Sequence, residues 1–215
     1  MKLDKPSNTL VIVGGWNRHI FTQDWIKRYL FPGEEEKFTI DMLVAQGFNT
    51  QFVSPQISSK EVEILFQENR LNFNPVENKN ENFDRIQDLA LQLAHYLPHT
   101  PVTAYGVNFL FTEETASGDL INLIRPRDLE KIEQFGRSLT NEQYTRGLVL
   151  NGRILNITIK LEGEKVTFDL NFHFNIRNLV EFKAGISEIS ILALKQEAIQ
   201  FITEIYGLEL EGENK

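Results

Sequence analysis

The feature that most constrains this chain is a stretch of strict alternation between apolar and polar residues in its last third. Two-residue turns at Asn151-Gly152 and Gly163-Glu164 separate three segments, Tyr144–Leu150, Arg153–Leu161 and Val166–Ile176. Asn-Gly is the strongest short hairpin signal, because a type I′ turn needs positive φ at both central residues. The sequence therefore predicts three consecutive antiparallel strands, a β-meander.

The second turn also sets the register of the last two strands. It places Glu162 opposite Lys165, a favourable cross-strand charge pair. It also places Leu155 beside Phe172, and a slip of one residue would exchange the two faces of the strand. In this register the apolar side chains of the last strand share one face: Val166, Phe168, Leu170, Phe172, Phe174 and Ile176. We therefore expect an antiparallel sheet with one face in apolar packing and the other open to solvent.

The apolar face needs a cover, and a helix from about Glu188 to Tyr206 is predicted to supply it. Gly207 is placed to end this helix in left-handed geometry. The acidic tail beyond it, about residues 208–215, is expected to fray. The helix carries one apolar stripe, composed of Ile191, Leu194, Ala198, Phe201, Ile202 and Ile205.

The rest of the chain predicts a similar alternation of strands and helices. A hairpin followed by a long helix occurs twice, so the predicted fold class is α+β, with two strand-strand-helix halves. We expect a mainly antiparallel sheet with long amphipathic helices packed on one face, in a single domain covering residues 1–215. A loop is expected through Ser117-Gly118. The other predicted elements are a strand at Thr9–Val13, a helix from Thr22 to about Leu30, a strand from Phe38 to Gly47, a hairpin of Val62–Phe66 and Leu71–Phe73, a helix at Asn82–Leu97, a strand at Val102–Thr112 and a helix from about Arg127 to Phe135.

Composition excludes several classes of function. The 215 residues include no cysteine, which excludes disulfides and thiolate chemistry, and the net charge is -8. This negative charge argues against nucleic-acid binding. No apolar run approaches the roughly 20 residues of a spanning helix, so we expect a cytoplasmic protein that does not enter a membrane. No metal and no cofactor are predicted, because Pro98 interrupts the helical spacing of His95 and His99.

The candidate ligand-binding residues are the polar side chains that alternate with the apolar set on the last strand. They are Asp169, Asn171, His173, Asn175 and Arg177, together with Asn156 from the neighbouring strand. Such a row is either a solvated face or the lining of a shallow groove. Asp169 and His173 lie about 13 Å apart along the strand, which is too far for a direct hydrogen bond. Gly106, a glycine inside a predicted strand, marks either a bulge or a close approach by another group.

No catalytic residue is predicted, because the sequence contains no recognisable catalytic motif. The favoured hypothesis is therefore a non-catalytic interaction or assembly protein that self-associates as a homo-oligomer through its sheet, or binds a protein partner. The alternative is a small-molecule binding protein or hydrolase that uses the polar sheet face around His173.

Overall fold

A computed structural model describes residues 1–5, 8–33, 38–44, 53–136, 139 and 142–211. The strands are β1 (Lys2–Asp4), β2 (Leu10–Gly14), β3 (Phe38–Val44), β4 (Val53–Ser59), β5 (Val62–Phe66), β6 (Arg70–Pro75), β7 (Val102–Glu113), β8 (Glu142–Leu150), β9 (Arg153–Glu162) and β10 (Lys165–Asn175). The α-helices are α1 (Gln23–Tyr29), α2 (Asn80–Tyr96), α3 (Gly118–Ile124), α4 (Leu129–Gln134), α5 (Leu179–Glu188) and α6 (Ile191–Tyr206). A short 3-10 helix covers Arg18–Ile20.

The predicted meander is present as β8, β9 and β10, in the predicted register. Glu162 pairs with Lys165, and Leu155 pairs with Phe172. Both turns use a glycine with positive φ, 78° at Gly152 and 67° at Gly163. The prediction succeeds because local turn chemistry and the apolar alternation demand the same pairing.

The described strands form a single antiparallel sheet in the order β3-β4-β5-β6-β2-β7-β10-β9-β8, with β1 paired to β7. β2 and β7 pair at its centre, where Leu10 lies opposite Val107. On one side, β2 is followed by α1, the meander β3–β6 and α2. On the other, β7 is followed by α3 and α4, the meander β8–β10 and the helices α5 and α6. Both halves therefore run from a strand through helix and meander to helix, although the meander has four strands in the first half and three in the second. This unit is longer than the predicted strand-strand-helix unit.

The helices pack on one face of this sheet, which confirms the α+β fold class. Val166, Phe168, Leu170 and Phe172 of β10 are fully buried in the same apolar core as residues of α2, α5 and α6. The opposite face carries Asp169, Asn171 and His173; we call it the open face. No helix within the described ranges is long and apolar enough to cross a membrane.

The predicted covering helix is present as α6, which begins at Ile191 rather than at about Glu188. A further helix, α5, precedes it and was not predicted. The hydroxyl of Ser190, between the two helices, accepts a hydrogen bond from the Ala193 amide at the start of α6. Serine is a favoured capping residue, which explains why α6 begins directly after Ser190. Ile205 is 51% exposed and does not belong to the buried stripe. Gly207 ends α6 at φ 68°, as predicted.

Other differences lie where local signals were weak or overlooked. α3 occupies the expected loop after Ser117, whose hydroxyl caps this helix. β1 and β4 were not predicted, and α2 begins at Asn80 rather than at Asn82. The start of the tail does not fray, because the Glu211 amide donates to the carbonyl of Met1. The predicted strand end at Gly47 lies outside the described residues.

Candidate functional site

The polar residues of β10 lie on the open face, in rows that run across several strands. Asn171 pairs with Asn108 of β7 on one side and with Asn156 of β9 on the other. Two residues further along β10, His173 lies opposite Gly106 of β7. Because side chains two residues apart share a face, these rows stack into one continuous polar surface.

The three asparagines form a ladder of side-chain amides across β9, β10 and β7. Nδ2 of Asn156 donates to Oδ1 of Asn171 at 3.2 Å, and Nδ2 of Asn171 donates to Oδ1 of Asn108 at 2.6 Å. Nδ2 of Asn108 donates in turn to the carbonyl of Asn8 at 2.5 Å. Each amide is therefore held in a defined orientation by its neighbour.

Gly106 makes room for the centre of this ladder. A Cβ atom built on Gly106 would lie 2.7 Å from Nδ2 of Asn171, which is closer than real Cβ atoms approach. The register around Gly106 is regular on both sides, with Val11 and with His173. Of the two roles predicted for this glycine, the structure therefore supports the close approach and not the bulge.

The ladder borders a concave groove of about 300 Å³ on the open face, which we call the groove. Its volume is at the lower end of the range for small-molecule sites. Strands β2, β6, β7 and β10 contribute to its walls, so residues from distant parts of the chain meet there. The side chains and backbone that line it belong to Asn8, Val11, Val13, Arg70, Ala104, Tyr105, Gly106, Asn108, Leu110, Asp169, Asn171 and His173.

Charges of both signs face the groove. Loss of water contact raises the pKa of Asp169 above its ordinary value, and the nearby cation of Lys160 opposes this shift. Arg70 donates from Nε to Oε1 of Gln67 at 2.5 Å, which fixes the base of its guanidinium. The imidazole of His173 is oriented by Asn175, whose Oδ1 lies 3.1 Å from Nε2. The groove thus presents a carboxylate, a cation, an imidazole and several amides.

The predicted site residues do not all meet in the groove. Asp169, Asn171 and His173 line it, and Asn156 joins it through the amide ladder. Asn175 lies beside His173 but at the end of β10, and it does not line the groove. Arg177 lies beyond the end of β10, where its Nε forms an exposed ion pair with Glu181 at 3.1 Å. Alternation alone extended the row past the point where the strand ends.

Several groove residues could not be identified from the polar row of β10. Arg70 comes from β6 and Asn8 from the segment before β2, so only the pairing of distant strands brings them to His173. Val11, Val13 and Leu110 add an apolar wall. For the wall formed by β7, the sequence pattern indicates only that Asn108 shares a face of the strand with Ala104 and Gly106. The sequence matches no protein-family model and none of the curated proteins searched.

Proposed function

We propose that this protein binds a small, uncharged, polar molecule in the groove. The observation that carries the proposal is the convergence of four strands on one concave surface, where Asn108, Asn171 and His173 lie next to one another. Ligand sites are typically concavities with an apolar wall and a few oriented polar groups. The amide ladder supplies that orientation, because each asparagine is held by hydrogen bonds before any ligand arrives.

The charges of the groove favour an uncharged ligand. Among the lining residues, Asp169 and Arg70 carry opposite formal charges, so the lining has no net charge when His173 is neutral. Val11, Val13 and Leu110 offer apolar contact on one side. A ligand with hydrogen-bonding groups along one edge and an apolar face, such as a monosaccharide or a nucleoside, fits this division.

The geometry supports binding in preference to hydrolysis. The partner of the His173 imidazole is the neutral amide of Asn175, which cannot stabilise an imidazolium as a carboxylate does. Asp169 stands about 13 Å away along the same strand, too far to take that role. We therefore assign His173 and Asn171 to ligand contact.

Ligand-observed NMR with a panel of uncharged monosaccharides and nucleosides tests this proposal. At least one probe should bind the wild-type protein, and both His173→Ala and Asn171→Ala should weaken its binding at least tenfold. Thr167→Ala is the matched control, because Thr167 lies on the same face of β10 outside the groove. The proposal fails if no probe binds, or if the groove variants bind as well as the control.

A second candidate function is self-association through the edge of the sheet. β8 is the last strand in the sheet order, with no further strand paired to its outer side within the described ranges. Val149 on this strand is 78% exposed. An edge strand with free backbone groups can pair with another chain.

Analytical ultracentrifugation tests self-association. Wild-type protein should form a dimer whose fraction rises with concentration, and Val149→Lys should shift it towards monomer by placing a charge on the edge. A wild-type monomer at the highest soluble concentration would contradict this second candidate.

A further inference from the structure

A second cavity lies at the end of the sheet, between the start of β9, the end of β10 and helix α5. Its volume is about 460 Å³, and we call it the end cavity. Arg153, Phe174, Glu181, Gly185 and Glu188 contribute to its walls, together with Tyr105. Tyr105 and His173 also contribute to the groove, so the two concavities adjoin at β10.

The hydroxyl of Tyr105 is an unsatisfied polar group that faces α5. Tyr105 is only 2% exposed, and its ring stacks on Phe174 at 4.4 Å and meets the edge of Phe182 at 5.0 Å. Its Oη has no hydrogen-bond partner among the described residues. A Cβ atom on Gly185 would lie 2.6 Å from Oη, so only the absence of a side chain there leaves space for the hydroxyl. A buried hydroxyl without a partner destabilises a fold, which makes a functional role for this one worth testing.

A second unsatisfied donor belongs to the same wall. Nη2 of Arg153 donates to Oε2 of Glu197 at 2.5 Å, which fixes the guanidinium. Its Nε is buried and has no partner among the described residues. Burial raises the pKa of Tyr105, the charge of Glu188 adds to this and Arg153 opposes it. Tyr105 therefore stays protonated, and both groups are hydrogen-bond donors at neutral pH.

The carboxylates around the cavity are not equivalent. Glu197 pairs with Arg153, and Glu181 pairs with Arg177. Glu188, at the end of α5, is exposed and adds a negative charge to the cavity wall. A ligand that pairs with all three groups needs an oxygen atom that accepts hydrogen bonds from Oη of Tyr105 and Nε of Arg153. It also needs a positive charge opposite Glu188.

We propose that the end cavity binds a molecule with an oxygen acceptor and a primary ammonium group, the chemistry shared by free amino acids and by the amino end of a peptide. The acceptor oxygen receives hydrogen bonds from Oη of Tyr105 and Nε of Arg153. The ammonium group lies against Glu188. The cavity has room for an amino acid with a large side chain, since its volume falls within the range of small-molecule sites.

Saturation-transfer NMR tests the proposal, with the twenty common amino acids and the tripeptide Gly-Gly-Gly at millimolar concentration as probes. At least one probe should bind the wild-type protein. Tyr105→Phe should weaken that binding at least tenfold without lowering the melting temperature, since the hydroxyl makes no hydrogen bond within the protein. Tyr144→Phe is the matched control, because it removes a tyrosine hydroxyl that contacts Glu142 elsewhere.

The source of the ligand is decided by N-acetylation. Binding by free amino acids alone identifies an amino-acid site, whereas binding by Gly-Gly-Gly but not by its N-acetylated form identifies a peptide amino end. In both cases Glu188→Gln should weaken binding. The proposal is overturned if no probe binds, or if Tyr105→Phe binds as tightly as wild type. Asn171→Ala separates the two sites, because it should affect the groove and leave the end cavity unchanged.

Discussion

The two faces of β10 show how one strand divides structure from function. Phe168, Leu170 and Phe172 are fully buried beneath the helices. The residues between them, Asp169 and Asn171, lie on the open face and line the groove. The two sets alternate along the same backbone, so their burial differs although their secondary structure is the same.

The face of the sheet that packs against the helices, which we call the covered face, fixes the strand register. The polar side chains of the open face are therefore not needed to set it. Apolar packing beneath the helices holds each strand in place, since a slip of one residue would bury charged and polar side chains. The open face does not have to supply this stability. It can therefore carry an amide ladder, a carboxylate and an imidazole in fixed positions.

The largest effect is expected from the covered face. Phe172→Ala removes a fully buried ring that meets Phe109 edge to face at 6.3 Å. The free energy of unfolding should fall by about 3–5 kcal/mol, because the cavity left behind closes only in part. The adjacent His173→Ala should change it by less than about 0.5 kcal/mol. Urea denaturation of both variants measures the contrast, and equal losses would break the division between the faces.

An intermediate effect is expected where the open face is most closely packed. Gly106→Ala forces a methyl group against Nδ2 of Asn171, which two neighbouring asparagines hold in place. We expect a loss of roughly 1–3 kcal/mol in the free energy of unfolding. In the Asn171→Ala background the same change meets no amide, so the two losses should not add. Additive losses in a double-mutant cycle would show that the ladder does not depend on Gly106.

The smallest effect is expected at Asp169, and it depends on pH. Its pKa is raised in the folded protein above the ordinary value of 3.8, so folding favours the protonated carboxyl. The contribution of Asp169 to the free energy of unfolding is therefore largest below the unfolded-state pKa of this carboxyl. It is lost as the pH rises through the folded-state pKa. Asp169→Asn should melt slightly higher than wild type at neutral pH, and the difference should vanish on acidification. Asp84→Asn on α2 controls for the lost charge; the same behaviour there would remove Asp169 as the cause.

Much of the second half of the fold could be predicted because its signals are local. The turns at Asn151-Gly152 and Gly163-Glu164 and the alternation of β10 lie within a short stretch of sequence, and all agree. β4 was missed because it contains Pro55 and consecutive serines, which are poor strand signals. α3 was not predicted, because Ser117-Gly118 is typical of a loop, although serine also begins helices.

The candidate site was predictable only along one strand. Alternation placed Asp169, Asn171 and His173 on one face. It could not reveal that Arg70 and Asn108 lie beside them, because strand order depends on pairing between distant segments. The end cavity had no sequence signal, since the need for Gly185 appears only when Tyr105 is seen beneath α5.

The pairing at the centre of the sheet has a consequence for how quickly the chain can fold. In each half the first strand pairs with the last strand of its meander, so Leu10 meets Phe73 and Val107 meets Phe172, more than sixty residues further along the chain. Such separations give a high contact order, and closing these long loops costs entropy before the pairing can offset it. We expect the hairpins to form early. The later pairing of β2 with β6 and of β7 with β10 is then the step that limits the folding rate.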